Sequence, residues 1–120
     1  MTRLRAVALG ALLGATPSCG SEDSGADTGL ACADQPDVTW TNFGHAFVTT
    51  YCLSCHSVQN TEHRYGAPEG IDFDTEADVD RQADRIRARV LDDGTMPIGG
   101  GVYEADLELL DVYLTCSLGN

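Results

Sequence analysis

The sequence predicts an all-α domain of about three helices joined by long loops. Three observations carry this. Apolar side chains recur at the 3.6-residue spacing of one helix face in three separate segments. No stretch alternates apolar and polar residues with period two for the length of a strand. The segments between the periodic ones are rich in Gly, Pro and Asn, the residues of turns. At 120 residues the chain has room for one small domain.

Not all of that length is domain. Residues 1–18 begin "MTRLRAVALGALLGA": Arg3 and Arg5 make a basic start, followed by a short run of apolar and small residues. This pattern predicts a secretory signal peptide, too short to span a bilayer as a helix, and no later stretch approaches that length. The segment ends in "TPSCG", where Cys19 after Ser18 resembles the lipobox of bacterial lipoproteins. The resemblance implies lipidation of Cys19 and a tether to a membrane outside the cytoplasm. Residues 19–31 are small, polar and acidic, with too little apolar content to fold, and read as a flexible acidic tether. The folded domain is expected over 32–120.

The first helix is expected in "WTNFGHAFVTTYCLSCHS". Asn42 is its candidate cap, and Phe43, Ala46, Phe47 and Tyr51 share a face. The Cys pair falls on its final turn. β-branched Val48, Thr49 and Thr50 lower the propensity of this segment. The second helix, "TEADVDRQADRIRARVL", has Asp74 or Thr75 as cap, acids in its first turns and arginines in its last, which suits the helix dipole. Val79, Ala83, Ile86 and Val90 form its buried stripe, and Gly94 stops it. The third, "YEADLELLDVYLTC", aligns Leu107, Leu110 and Leu114 behind Tyr103. Long loops separate the three. With three Phe, four Tyr and one Trp in the chain, such loops lack apolar partners, and a large planar apolar cofactor would supply them.

Charge and cysteine usage narrow the function. The chain has 7 basic and 19 acidic side chains, a net charge of −12, and no lysine. This excludes nucleic acid as an unaided partner. Such a charge is expected to steer the domain towards a basic docking surface; the alternative is that it only keeps the protein soluble. Of five cysteines, Cys19 belongs to the lipidation site and Cys52 and Cys55 to a close pair. Cys32 and Cys116 remain at the two ends of the domain, and in an oxidising compartment they read as a disulfide.

The stretch "TTYCLSCHSV" then raises the question of chemistry. Zinc wants four ligands, usually two such pairs, and only one is present. A redox Cys-X-X-Cys belongs at a helix start beside a βαβ unit, whereas this one sits at a helix end. Covalent haem attachment fits what is written. Two thiols one helical turn apart can reach the two vinyl groups of one porphyrin edge, and His56, next in line, can ligate the iron. Met96 in "GTMPIGGG" is the candidate for the second axial position. Its thioether favours ferrous iron, and the glycines around it allow close approach to a flat ligand. His45 and His63 are its rivals.

The order of helix, Cys-X-X-Cys-His, loop, helix, Met-Pro loop and terminal helix resembles a class I cytochrome c domain, over about residues 32–120. The resemblance implies a small fold in which the first and last helices cross and one haem c lies between the loops. By that likeness Cys52 and Cys55 carry the thioethers, and His56 and Met96 are the axial ligands. Pro68 in "GAPEG" matches the family proline whose carbonyl accepts the proximal histidine's N–H. Arg64 and the arginines of the second helix are the candidates to pair with haem carboxylates. The implied function is electron transfer to a redox partner protein, without catalysis. The alternative is a haem sensor or small peroxidase-like enzyme with a displaceable sixth ligand, and Met96 decides between them.

Overall fold

The computed structural model describes residues 31–118. The expected signal peptide, Cys19 and the tether up to residue 30 lie outside the described residues. A 3₁₀ turn at Cys32–Asp34 comes first. A wide π-type turn at Trp40–Gly44 then runs into α1 (His45–Tyr51). Helices α2 (Glu76–Arg81) and α3 (Ala83–Ile86) follow, the latter continuing as a wide turn at Arg87–Asp92. Helix α4 (Glu104–Val112) ends the same way at Tyr113–Ser117. No strand occurs among the described residues, so the domain is all-α.

Caps set where the helices begin. Thr39, not Asn42, is the cap of the first helical stretch. Its hydroxyl accepts from Asn42 N (3.2 Å), and Asn42 Oδ1 accepts in return from Thr39 N (2.7 Å). Asn42 thus supplies the reciprocal half of the box. Thr75 caps α2 through the same device with Asp78. Asp78 has its carboxyl pKa lowered, first by the Thr75 hydroxyl and then by Arg81. The second helical region bends at Gln82, whose φ of −112° and ψ of 10° leave the α region.

The first helix stops earlier than its periodicity suggests. It ends at Tyr51, so the Cys pair lies beyond it and not on its last turn. The Thr49 and Thr50 hydroxyls donate back to the carbonyls of His45 (2.7 Å) and Ala46 (2.8 Å), a bonding pattern that loosens a helix end. Cys52 leaves the α region, and the next turn closes through Cys55 N and His56 N on Cys52 O (3.1 and 2.9 Å).

The core joins α1 to the last helical stretch. Phe47 and Val48 are buried with Leu110, Val112, Tyr113 and Leu114, and Val79, Ile86, Val38 and Phe73 complete the cluster. Leu107 is only half-buried, and the last helix buries Val112 and Tyr113 besides the expected stripe. The closest approach is at Gly44. A Cβ there would stand 2.8 Å from Tyr113 Cζ and 2.9 Å from Trp40 Cε3. Arg87 ties the middle region to α4 through Asp111 (2.6 Å) and Thr115 (2.6 Å). Cys32 and Cys116 form a disulfide with Cα atoms 5.5 Å apart. The Ser117 hydroxyl donates to the Val38 carbonyl on the same side. The Tyr113 hydroxyl is buried without a hydrogen-bond partner, and burial raises its pKa, so it stays protonated.

Candidate functional site

One cavity of about 490 Å³ lies between α1, the loop after it, the middle helical region and the loop at 95–98. That is the size of a cofactor or small-molecule site. Phe47, Ile71, Phe73, Ile86, Val90 and Ile98 supply apolar wall. Ile86 and Val90 belong to the expected stripe of the second helix. Val90 is half-buried: it packs against the core and also lines this space.

Cys52, Cys55 and His56 line the cavity from the turn after α1, and Met96 and Pro97 line it from a loop forty residues on. Neither Cys52 nor Cys55 is in a disulfide. Burial, with Cys55 as a smaller cause, pushes the Cys52 thiol up to about 12, so it is held as the neutral thiol. The His56 ring packs against Phe73 with centroids 5.0 Å apart.

The proton on His56 is fixed by its neighbour. Nδ1 lies 2.7 Å from the Ile71 carbonyl oxygen. A carbonyl only accepts, so Nδ1 carries the hydrogen, and in the neutral ring Nε2 is the nitrogen with a lone pair for a metal. Such a bond is the usual support of a ligating histidine. The acceptor corrects the expectation for Pro68. That residue lines the cavity, but its carbonyl accepts from Arg64 Nη2 (2.9 Å) and Ile71 N (3.4 Å). The turn from Pro68 to Ile71 delivers the Ile71 carbonyl to His56 instead.

Arg64 is the centre of that loop and is not available to a ligand. Its guanidinium pairs with Asp72 (2.6 Å) and donates to the carbonyls of Ser57 (2.8 Å), Ala67 (3.3 Å) and Pro68 (2.9 Å). Two more residues pin the loop to the motif. Asn60 Nδ2 donates to Leu53 O and Ser54 O (2.8 and 2.9 Å), and Asp74 accepts from Ser57 Oγ and Val58 N (2.6 and 2.9 Å). Sequence reasoning singled out none of these three as loop clamps. The available signal was a run of turn residues whose carbonyls and amides needed side-chain partners.

The Met96 loop is built by hydrogen bonds to the end of the middle helical region. Met96 N donates to Arg89 O (3.0 Å), and Gly94, at φ 62°, makes the turn between them. Met96 is half-buried. Its rivals are not at the cavity. His45 is exposed with its ring edge-on to Trp40, and His63 is exposed in the loop. On the other wall, the Tyr51 hydroxyl donates to Asp106 (2.7 Å), which raises the tyrosine pKa.

A zinc site would need several converging ligands, and among the described residues no three His, Cys, Asp or Glu side chains converge. The cavity instead offers two thiols, one imidazole with a free Nε2 and one thioether around an apolar space. That donor set fits a haem c, with Cys52 and Cys55 available to its edge and His56 and Met96 to its iron. Among the described residues no helix is long and apolar enough to cross a membrane. Comparison of the chain with protein-family models, with curated proteins and with solved structures finds no match.

Proposed function

We propose that the chain is an electron-transfer protein with a small class I cytochrome c-like fold and one covalently attached haem c. A single observation carries the reading. Cys52, Cys55, His56 and Met96, from two segments far apart in sequence, line the same apolar cavity. Cys52 and Cys55 serve as the thioether donors. His56, oriented by the Ile71 carbonyl, binds iron through Nε2, and Met96 binds through its sulfur. The haem supplies one-electron transfer between its ferric and ferrous states. The protein's part is to bind and orient it, and Phe47, Ile71, Phe73 and Ile86 exclude water from it. With His56 and Met96 both holding the iron, no open position would be left for a substrate, and the chain would act as a carrier and not as an enzyme. The same reading has it exported, lipid-anchored through Cys19 at the outer side of a membrane, and paired with a redox partner protein.

The test is a reduced-minus-oxidised absorption spectrum of the protein expressed in a host that attaches haem outside the cytoplasm. A sharp c-type spectrum that survives denaturation is expected, and a colourless protein would overturn the reading. Slow carbon monoxide uptake by the reduced form is expected of a firmly held Met96. Rapid uptake would move the chain to the sensor or peroxidase-like class.

A further inference from the structure

The cavity wall is selective in charge. The chain carries 19 acidic side chains against 7 basic ones, yet the wall holds Arg85 and Arg89 and no carboxylate. Five arginines are described, and four of them are matched to an acid. Arg64 pairs with Asp72, Arg81 with Asp78, Arg87 with Asp111 and Arg89 with Asp93. Arg85 has no hydrogen bond or ion pair to its side chain among the described residues, although acids are plentiful. It projects from α3, the short helix that also gives Ile86 to the wall.

A flat apolar molecule filling the cavity would cover part of the Arg85 guanidinium and strip water from it. That is unfavourable unless the molecule brings an anion to the same place. A carboxylate meets the need best, because its two oxygens match the planar fork of the guanidinium. Arg89 is a weaker candidate, since Asp93 already holds its Nη1 at 2.8 Å. Arg64 is excluded by its engagement in the loop.

We propose that Arg85 anchors a carboxylate of the cavity's ligand and so fixes which way round that ligand lies. The inference rests on the haem reading and adds to it the side chain that recognises a carboxylate on the porphyrin edge.

The experiment uses the full chain produced without attached haem and follows quenching of its one tryptophan, Trp40. Protoporphyrin IX and its dimethyl ester are titrated into wild type, Arg85→Gln, Arg85→Lys and Arg81→Gln. Wild type should prefer the free acid over the ester. Arg85→Gln should reduce that preference by about tenfold, the size of one charge-assisted hydrogen bond. Arg85→Lys should keep part of it. Arg81→Gln, on the neighbouring helix α2 and outside the wall, should keep all of it. Because preference is compared between variants, the different solubilities of the two porphyrins cancel. An Arg85→Gln variant as selective as wild type, or a wild type with no preference, would overturn the proposal. If neither porphyrin binds wild type, the cavity reading itself falls and this proposal falls with it. Arg85 is exposed and unpartnered, so its replacement should leave folding intact, which circular dichroism of each variant verifies.

Discussion

Cys52 shows how far surroundings alter one side chain. Its thiol moves from 9.0 to about 12, chiefly because burial disfavours the charged thiolate. In the haem-free protein at pH 8, Cys52 should therefore react with iodoacetamide more slowly than an ordinary free cysteine, by about tenfold or more once the higher nucleophilicity of a high-pKa thiolate is allowed for. Peptide mapping by mass spectrometry would measure this, and equal labelling would refute the burial. The sign of the linked pH effect follows. The unfolded chain loses this proton near 9.0 and the folded chain only near 12, so stability of the haem-free form falls as pH rises through that window. Gly44 is the second residue whose role is set by its neighbours. Its φ of −54° suits any residue, and alanine would improve helix propensity. A Cβ there nevertheless meets Tyr113 and Trp40 at under 3 Å. Gly44→Ala should cost about 1–2 kcal/mol, overpacking outweighing the propensity gain. Urea denaturation would read it, and an unchanged midpoint would show that the helices can part without loss.

At the scale of the element, short helices depend on their ends. Helix α2 has six residues and its cap satisfies amides that have no partner within it. Thr75→Ala should cost about 1 kcal/mol in chemical denaturation, with Thr75→Ser recovering most of that. A loss in both variants alike would assign the effect to something other than the hydroxyl. The loop after the Cys pair has no helix at all from 57 to 75 and is ordered by Arg64, Asn60 and Asp74. These clamps hold the Ile71 carbonyl against His56, so the loop acts on the site through its backbone.

The whole domain is closed by one covalent link. The disulfide joins residues 84 apart in sequence, so it restrains nearly all of the folded chain. Replacing both Cys32 and Cys116 by Ser should destabilise the domain by up to about 4–5 kcal/mol through loop entropy in the unfolded chain. The expected readout is a lower denaturation midpoint in the double variant, and an unchanged midpoint would mean that packing alone closes the domain. For a domain with ten buried hydrophobic residues among those described, such a loss is a large part of its stability. Charge is also a property of the whole molecule. The full sequence has a net charge of −12, while among the described residues the cavity wall carries Arg85 and Arg89 and no carboxylate. A partner that meets the cavity directly would therefore meet a different sign of charge from one steered at a distance.

Sequence alone determined what depends on neighbours within a turn or two. The three helical regions, the cap of the second at Thr75, and the nearness of Cys52, Cys55 and His56 all follow from local spacing, whereas the first cap fell at Thr39 and not at Asn42. The link between Cys32 and Cys116 was also within its reach, because the cysteine count left that pair over. Tertiary structure alone decided which groups meet across the loops. It put the Ile71 carbonyl where Pro68 had been expected, took Arg64 into the loop and left Arg85 without an acid. It also ended the first helix before the Cys pair. Backbone carbonyls carry no residue identity, and a long loop can close in many ways. Which acceptor reaches a histidine, and which arginine stays free, is settled only when distant segments compete for the same partners.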